Sequence, residues 1–160
     1  MPALTEIIER ATLDLFDHYE RALSPLDAAH ASEPDIAYCG VIGFTGDDLR
    51  GSLLLAVSRD AIEIDGSLRD WLGELTNQLL GRIKNRLIAY GTVVHGSTPV
   101  VMRGDYLAPV TPLRDALAFA TGAGGVVVVW FDAEIRPGFE LTAFPDAGVE
   151  VAPEGDMLLF

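Results

Sequence analysis

Apolar residues at Leu4, Ile8, Ala11, Leu15 and Tyr19 recur at helical spacing and predict an amphipathic helix over about residues 3–23. Ser24-Pro25 should end it, because proline disfavours helical geometry at the residue before it. The polar, Ala-rich residues 26–35 then read as a loop. Two strand-like runs follow, Ile36–Phe44 and Arg50–Ser58. The turn residues Thr45-Gly46-Asp47-Asp48 join them into a hairpin. The stretch from Asp60 to Gly66 is short and ambiguous. Beyond a long central helix come strand-like Thr92–Val94 and Pro99–Met102. A second hairpin is built from Leu117–Thr121, a turn at Gly122–Gly125 and the run Val126–Ile135. Phe139–Phe144 is a further candidate strand. Two helices and about five or six strands, mostly in hairpins, predict an α+β two-layer fold: an antiparallel sheet with both long helices on one face.

The central helix carries the most information. Ser67-Leu68-Arg69-Asp70 has the form of a capping box and sets the start near Leu68, while Tyr90-Gly91 supplies a left-handed stop. Placing successive residues about 100° apart puts Leu72, Leu75, Leu79, Ile83 and Leu87 on one apolar stripe. Asp70, Glu74, Asn77, Gly81 and Lys84 fall on another, nearly opposite, and are expected to face outward. Glu74 and Asn77, three residues apart, then stand side by side. Gly81 on that face costs the helix about 1 kcal/mol relative to alanine, which close approach of another backbone would explain. Exposed polar residues on an amphipathic helix are most often only solvated, and Asp70 already has structural work in the cap.

Composition narrows the function classes. Acidic residues outnumber basic ones 24 to 11 across 160 residues, a net charge of −13. Nucleic-acid binding depends on Lys and Arg neutralising phosphates, so nucleic acid and anionic membranes are poor partners, and a protein or small molecule fits better. No apolar run approaches the roughly 20 residues of a membrane helix, the longest being Val126–Phe131. The N-terminus lacks the basic and apolar pattern of a secretory signal. The sole cysteine, Cys39, allows no internal disulfide, and a cytoplasmic location is expected. It lies within a predicted strand and reads as a small buried hydrophobe. His18, His30 and His95 show no metal-ligand spacing. No serine sits in a nucleophile elbow. Gly122–Gly125 lacks the Lys-Ser or Lys-Thr of a phosphate loop. The acidic pair Asp47-Asp48 is most simply turn chemistry.

The helix segment from Asp70 through Lys84 resembles the signature helix of the CheC, CheX and FliY family: Asp or Ser, three residues, Glu, two residues, Asn, then a glycine and often a lysine. Ser97-Thr98-Pro99 resembles the family's proline-containing strand, and the Gly46–Val57 hairpin, with Gly51 before an apolar strand, is also similar. The likeness covers about residues 36–135 of one domain and leaves 137–160 without a counterpart. The lone Glu-x-x-Asn motif is similar to CheX rather than to two-site CheC. Only Arg59–Ser67 occupies the place where relatives carry an extra helix.

The resemblance implies a phosphatase acting on the aspartyl-phosphate of a CheY-like response regulator. Asn77 would position the attacking water and Glu74 would dock the partner, with Asp70, Gly81 and Lys84 in the contact surface. It implies no cofactor of the chain's own, the Mg²⁺ being supplied by the regulator. It also implies a homodimer paired through sheets, for which an exposed Val126–Phe131 edge would serve. Two alternatives stay open from the residues: a non-catalytic binding module on the same fold, and an unrelated two-layer domain holding a small molecule between helix and sheet.

Overall fold

The computed structural model describes residues 2–26, 35–61, 68–108, 116–122 and 124–141. Its elements run α1 (Pro2–His18), β1 (Leu23–Leu26), β2 (Ile36–Gly46), β3 (Leu49–Ser58), α2 (Leu68–Ile88), β4 (Val94–Gly96), β5 (Val100–Arg103), β6 (Leu117–Thr121) and β7 (Val126–Ile135). Seven strands form one sheet in the order β1-β6-β7-β3-β2-β4, with β5 also pairing β2. Every pairing is antiparallel. The expected α+β two-layer arrangement is present, with one strand more than predicted.

The apolar faces of both helices meet one side of this sheet. Leu4, Ile8, Ala11 and Leu15 of α1 join Leu72, Leu75, Leu79, Ile83 and Leu87 of α2 in a single core. Ile42, Phe44, Leu53, Leu55, Val127, Val129 and Phe131 complete it from the strands. The Phe44 and Phe131 rings stack there, with centroids 4.7 Å apart. On the other side of the sheet Ile36, Cys39, Ala56 and Val128 form a smaller cluster. Cys39 is buried as expected, and desolvation raises its thiol pKa to about 11.

Several expectations need correction. Helix α1 stops at His18 rather than near residue 23, because the chain turns at Glu20, which holds φ at 58°. The amides of Glu20 and Arg21 close that turn onto Asp17 and Phe16. Leu23–Leu26 then becomes an outer strand along β6, with Leu23 opposite Thr121. Pro25 is tolerated there because an outer strand has one side free of ladder bonds. The run Val126–Phe131 is no edge: β7 is paired by β3 on one side and β6 on the other. A continuous apolar run suits a strand covered on both faces. Homodimer pairing therefore loses the edge offered for it, and the sheet's margins are β1 and, beyond β2, β4 and β5.

The first hairpin turns through Asp47 and Asp48, between Gly46 and Leu49. Arg136 grips Asp48 with two guanidinium nitrogens at 3.0 and 2.7 Å and holds its carboxyl below the usual aspartate range. The acidic pair is turn chemistry. Residues 139–141 form no strand, although Phe139 and Leu141 pack on the main core, and the rest of the predicted Phe139–Phe144 strand lies outside the described residues.

Candidate functional site

Helix α2 spans Leu68–Ile88, close to the predicted limits. Ser67 lies outside the described residues; Asp70 is in the first turn and exposed. At the other end the Gly91 amide bonds the Ile88 carbonyl and the Thr92 amide bonds that of Leu87, with Gly91 at φ 77°. That double closure is the Schellman stop the Tyr90-Gly91 pair predicted.

One contact fixes the helix against the sheet. A methyl group at Gly40 of β2 would lie 2.0 Å from the Thr76 hydroxyl and 3.1 Å from its Cβ. The bare backbone of β2 thus lets α2 settle directly onto it. Buried Thr76 satisfies its own hydroxyl by donating to the Leu72 carbonyl at 2.7 Å. With Thr76 seated inward, Glu74 lies nearly opposite it on the helix and is turned to the outside, with Asn77 between the two.

Glu74 is exposed and Asn77 and Gly81 are half-buried, so three of the predicted face residues share one accessible arc. Apart from the helix's own backbone, nothing among the described residues comes within 4 Å of a methyl placed at Gly81. No internal packing therefore demands glycine there. The two candidate residues differ in how they are held. Glu74 Oε1 accepts from the Gln78 amide at 2.8 Å, whereas no hydrogen bond joins Asn77 to another described residue. An amide with no partner among the described residues offers both a donor and an acceptor to an incoming molecule.

Lys84 departs from expectation. It is 6% exposed, not outward-facing, and burial lowers its pKa below the ordinary lysine value. The buried arc of α2 is wider than the predicted stripe, taking in Thr76, Leu80 and Lys84 as well. Leu80 lies against Gly96 of β4, where an added methyl would be 2.7 Å from Leu80 Cδ2, and Lys84 is one turn further along the same row. A partner-contact role for Lys84 has no support in this placement.

Ser97-Thr98-Pro99, compared above with a strand, instead links β4 to β5, and Ser97 bonds β2. Its amide donates to the Gly43 carbonyl at 2.8 Å, and its hydroxyl accepts from the Gly43 amide at 3.0 Å. The side chain stands in for a strand partner where the margin of the sheet passes from β4 to β5. Of the histidines, His18 sits edge-on to Tyr19 at 5.2 Å, His95 is exposed on β4, and His30 lies outside the described residues. Sequence periodicity missed Gln78 and Tyr19, which hold Glu74 from the side; the i,i+4 spacing of Glu74 and Gln78 was the available signal.

Comparison with known proteins agrees with the fold. Residues 38–118 match the family model described as chemotaxis phosphatase CheX. Among solved structures, the chemotaxis protein CheX from Vibrio vulnificus is similar with TM-score 0.67 at 18% identity, over 82% of this chain and 96% of that one. CheX from Desulfovibrio desulfuricans gives 0.64 at 21% identity, over 84% and 99%. The CheX of the CheX-CheY-BeF3-Mg²⁺ complex from Borrelia burgdorferi gives 0.56 at 16% identity, over 78% and 93%. No curated protein sequence matches. Those structural likenesses establish the shared fold, and the family model covers just over half the chain, including most of β2 and the whole of β3 and α2. The chain belongs to the CheX family.

Proposed function

We propose that this protein hydrolyses the aspartyl-phosphate of a CheY-like response regulator, with Asn77 positioning the water and Glu74 docking the partner. The observation that carries the reading is the contrast within one accessible arc: a carboxylate already held in place beside an amide with no hydrogen-bond partner among the described residues. That the Borrelia CheX is solved in complex with CheY supports a partner of the same type here.

Hydrolysis of an acyl phosphate requires a water in line with the scissile P–O bond. Its oxygen bonds phosphorus, the receiver's aspartate leaves as a carboxylate, and a proton passes to solvent. Positioning supplies most of what a protein can add to such a step. A neutral amide suits the task, because Asn77 can hydrogen-bond the water without repelling the phosphoryl oxygens. A carboxylate at that point would repel them. Glu74 therefore faces a cationic group of the partner, where charge complementarity sets the register. Asp70, exposed in the first turn of α2, extends the same acidic surface. Gly81 leaves room for the partner's backbone one turn beyond Asn77. Mg²⁺ held in the receiver's own acidic site supplies charge neutralisation, and this chain contributes no cofactor.

The test is release of inorganic phosphate from a CheY-type receiver kept phosphorylated by acetyl phosphate and Mg²⁺. Glu74→Ala should raise KM, and Asn77→Ala should lower kcat with KM little changed. Binding of the phosphorylated receiver with no release above its own rate would replace this reading by that of a non-catalytic binding module.

A further inference from the structure

We propose that Tyr19 and Gln78 are positioning residues for Glu74, a relay through which α1 fixes the docking carboxylate before the partner arrives. The inference rests on the reading of Glu74 as the docking group.

The Tyr19 hydroxyl donates to Gln78 Oε1 at 2.8 Å, and Gln78 Nε2 donates to Glu74 Oε1 at 2.8 Å. The direction of both bonds is forced. An ionised carboxylate can only accept, so Gln78 must turn its NH₂ toward Glu74 and its carbonyl toward the phenol, which then must donate. Either swap would set two acceptors against each other. A Glu–Gln pair four residues apart on a helix surface is weak by itself, and an exposed glutamate without further support samples several rotamers. The bond from Tyr19 ties that pair to a second element.

Tyr19 is itself well anchored. It follows the last residue of α1, where the Arg21 amide returns to the Phe16 carbonyl at 2.9 Å and Glu20 adopts its positive φ. Its ring packs against the main core and meets Trp71 of α2 edge-on at 6.4 Å, while the Arg21 guanidinium lies over the same indole at 5.8 Å. The seam between the two helices thus ends in a phenol aimed at Gln78. The relay reaches Glu74 and stops there, since Asn77 takes no part in it.

Pre-organising a contact improves binding by removing the cost of ordering it on association, and leaves the chemical step alone. Tyr19→Phe and Gln78→Leu should each raise KM for the phosphorylated receiver about 2–10-fold, the range of one ordinary hydrogen bond, with kcat within about twofold of wild type. In a Glu74→Ala background neither change should move KM further, which a merely structural role of Tyr19 would not reproduce. If Glu74→Ala itself leaves KM unchanged, the docking reading falls. If Glu74→Ala raises KM while Tyr19→Phe and Gln78→Leu do not, the docking reading stands and the relay is overturned. A second measurement needs no receiver. Three-bond couplings in the free protein should show one χ1 rotamer for Glu74, averaged in both relay variants. Averaging already present in the wild type would overturn the relay.

Discussion

Along α2 the arc carrying Leu72, Leu75, Thr76, Leu79, Leu80 and Ile83 is sealed against the sheet and α1, while the arc carrying Asp70, Glu74, Asn77 and Gly81 is exposed or half-buried. The sealed arc is constrained on every side. Thr76 fits only because Gly40 has no side chain, and its hydroxyl has to return to the helix's own backbone. On the open arc Glu74 is held by Gln78, whereas its neighbour Asn77 makes no hydrogen bond to another described residue. On the proposed function, stability and activity fall on opposite sides of a single helix. Substitutions should separate the two readouts according to the arc they fall on.

The largest effect on stability should come from Leu79→Ala. This fully buried side chain leaves a cavity among tightly packed neighbours, and about 2–5 kcal/mol should be lost in a denaturant titration. Residual phosphate release, measured well below the unfolding midpoint, should be near normal per folded molecule. Gly40→Ala comes next at about 1–3 kcal/mol, because its methyl forces α2 away from β2. Adding Thr76→Ala should recover part of that loss, since the closest contact, at 2.0 Å, is with the hydroxyl that the second change removes. Simple additivity of the two losses would mean that Gly40 and Thr76 do not set the helix–sheet spacing.

Gly81→Ala should have the opposite sign. An added methyl meets nothing among the described residues beyond the helix itself, and alanine favours the helix by up to about 1 kcal/mol. A rise in the denaturation midpoint together with weaker receiver binding would show that the glycine serves the partner's approach. Unchanged binding would leave Gly81 without that role.

The same comparison explains what could be read from the sequence. The sealed arc declared itself through leucine spacing, the C-terminal stop through Tyr90-Gly91, and the first hairpin through its turn residues. The Glu-x-x-Asn pair was legible because it is local to one helix. What escaped was non-local. Leu23–Leu26 becomes a strand only because residues 118–121 lie alongside it, and nothing near Pro25 signals that pairing. Val126–Phe131 looked like an available edge because an apolar run does not say how many neighbours it has. Lys84 looked exposed because a helical projection gives the direction of a side chain without the width of the groove the helix occupies. Tyr19, 59 residues from Gln78, could not be linked to the site before the two helices were seen together.

Asn77→Ala tests the account most directly, because it should have the smallest effect on stability and the largest on activity. The side chain makes no hydrogen bond to a described residue and alanine suits a helix, so the unfolding free energy should change by under about 0.5 kcal/mol. Phosphate release from a phosphorylated CheY-type receiver that the wild type dephosphorylates should fall by orders of magnitude, while binding of that receiver persists. Near-wild-type release by a folded Asn77→Ala protein would contradict the assignment of Asn77 as the water-positioning group.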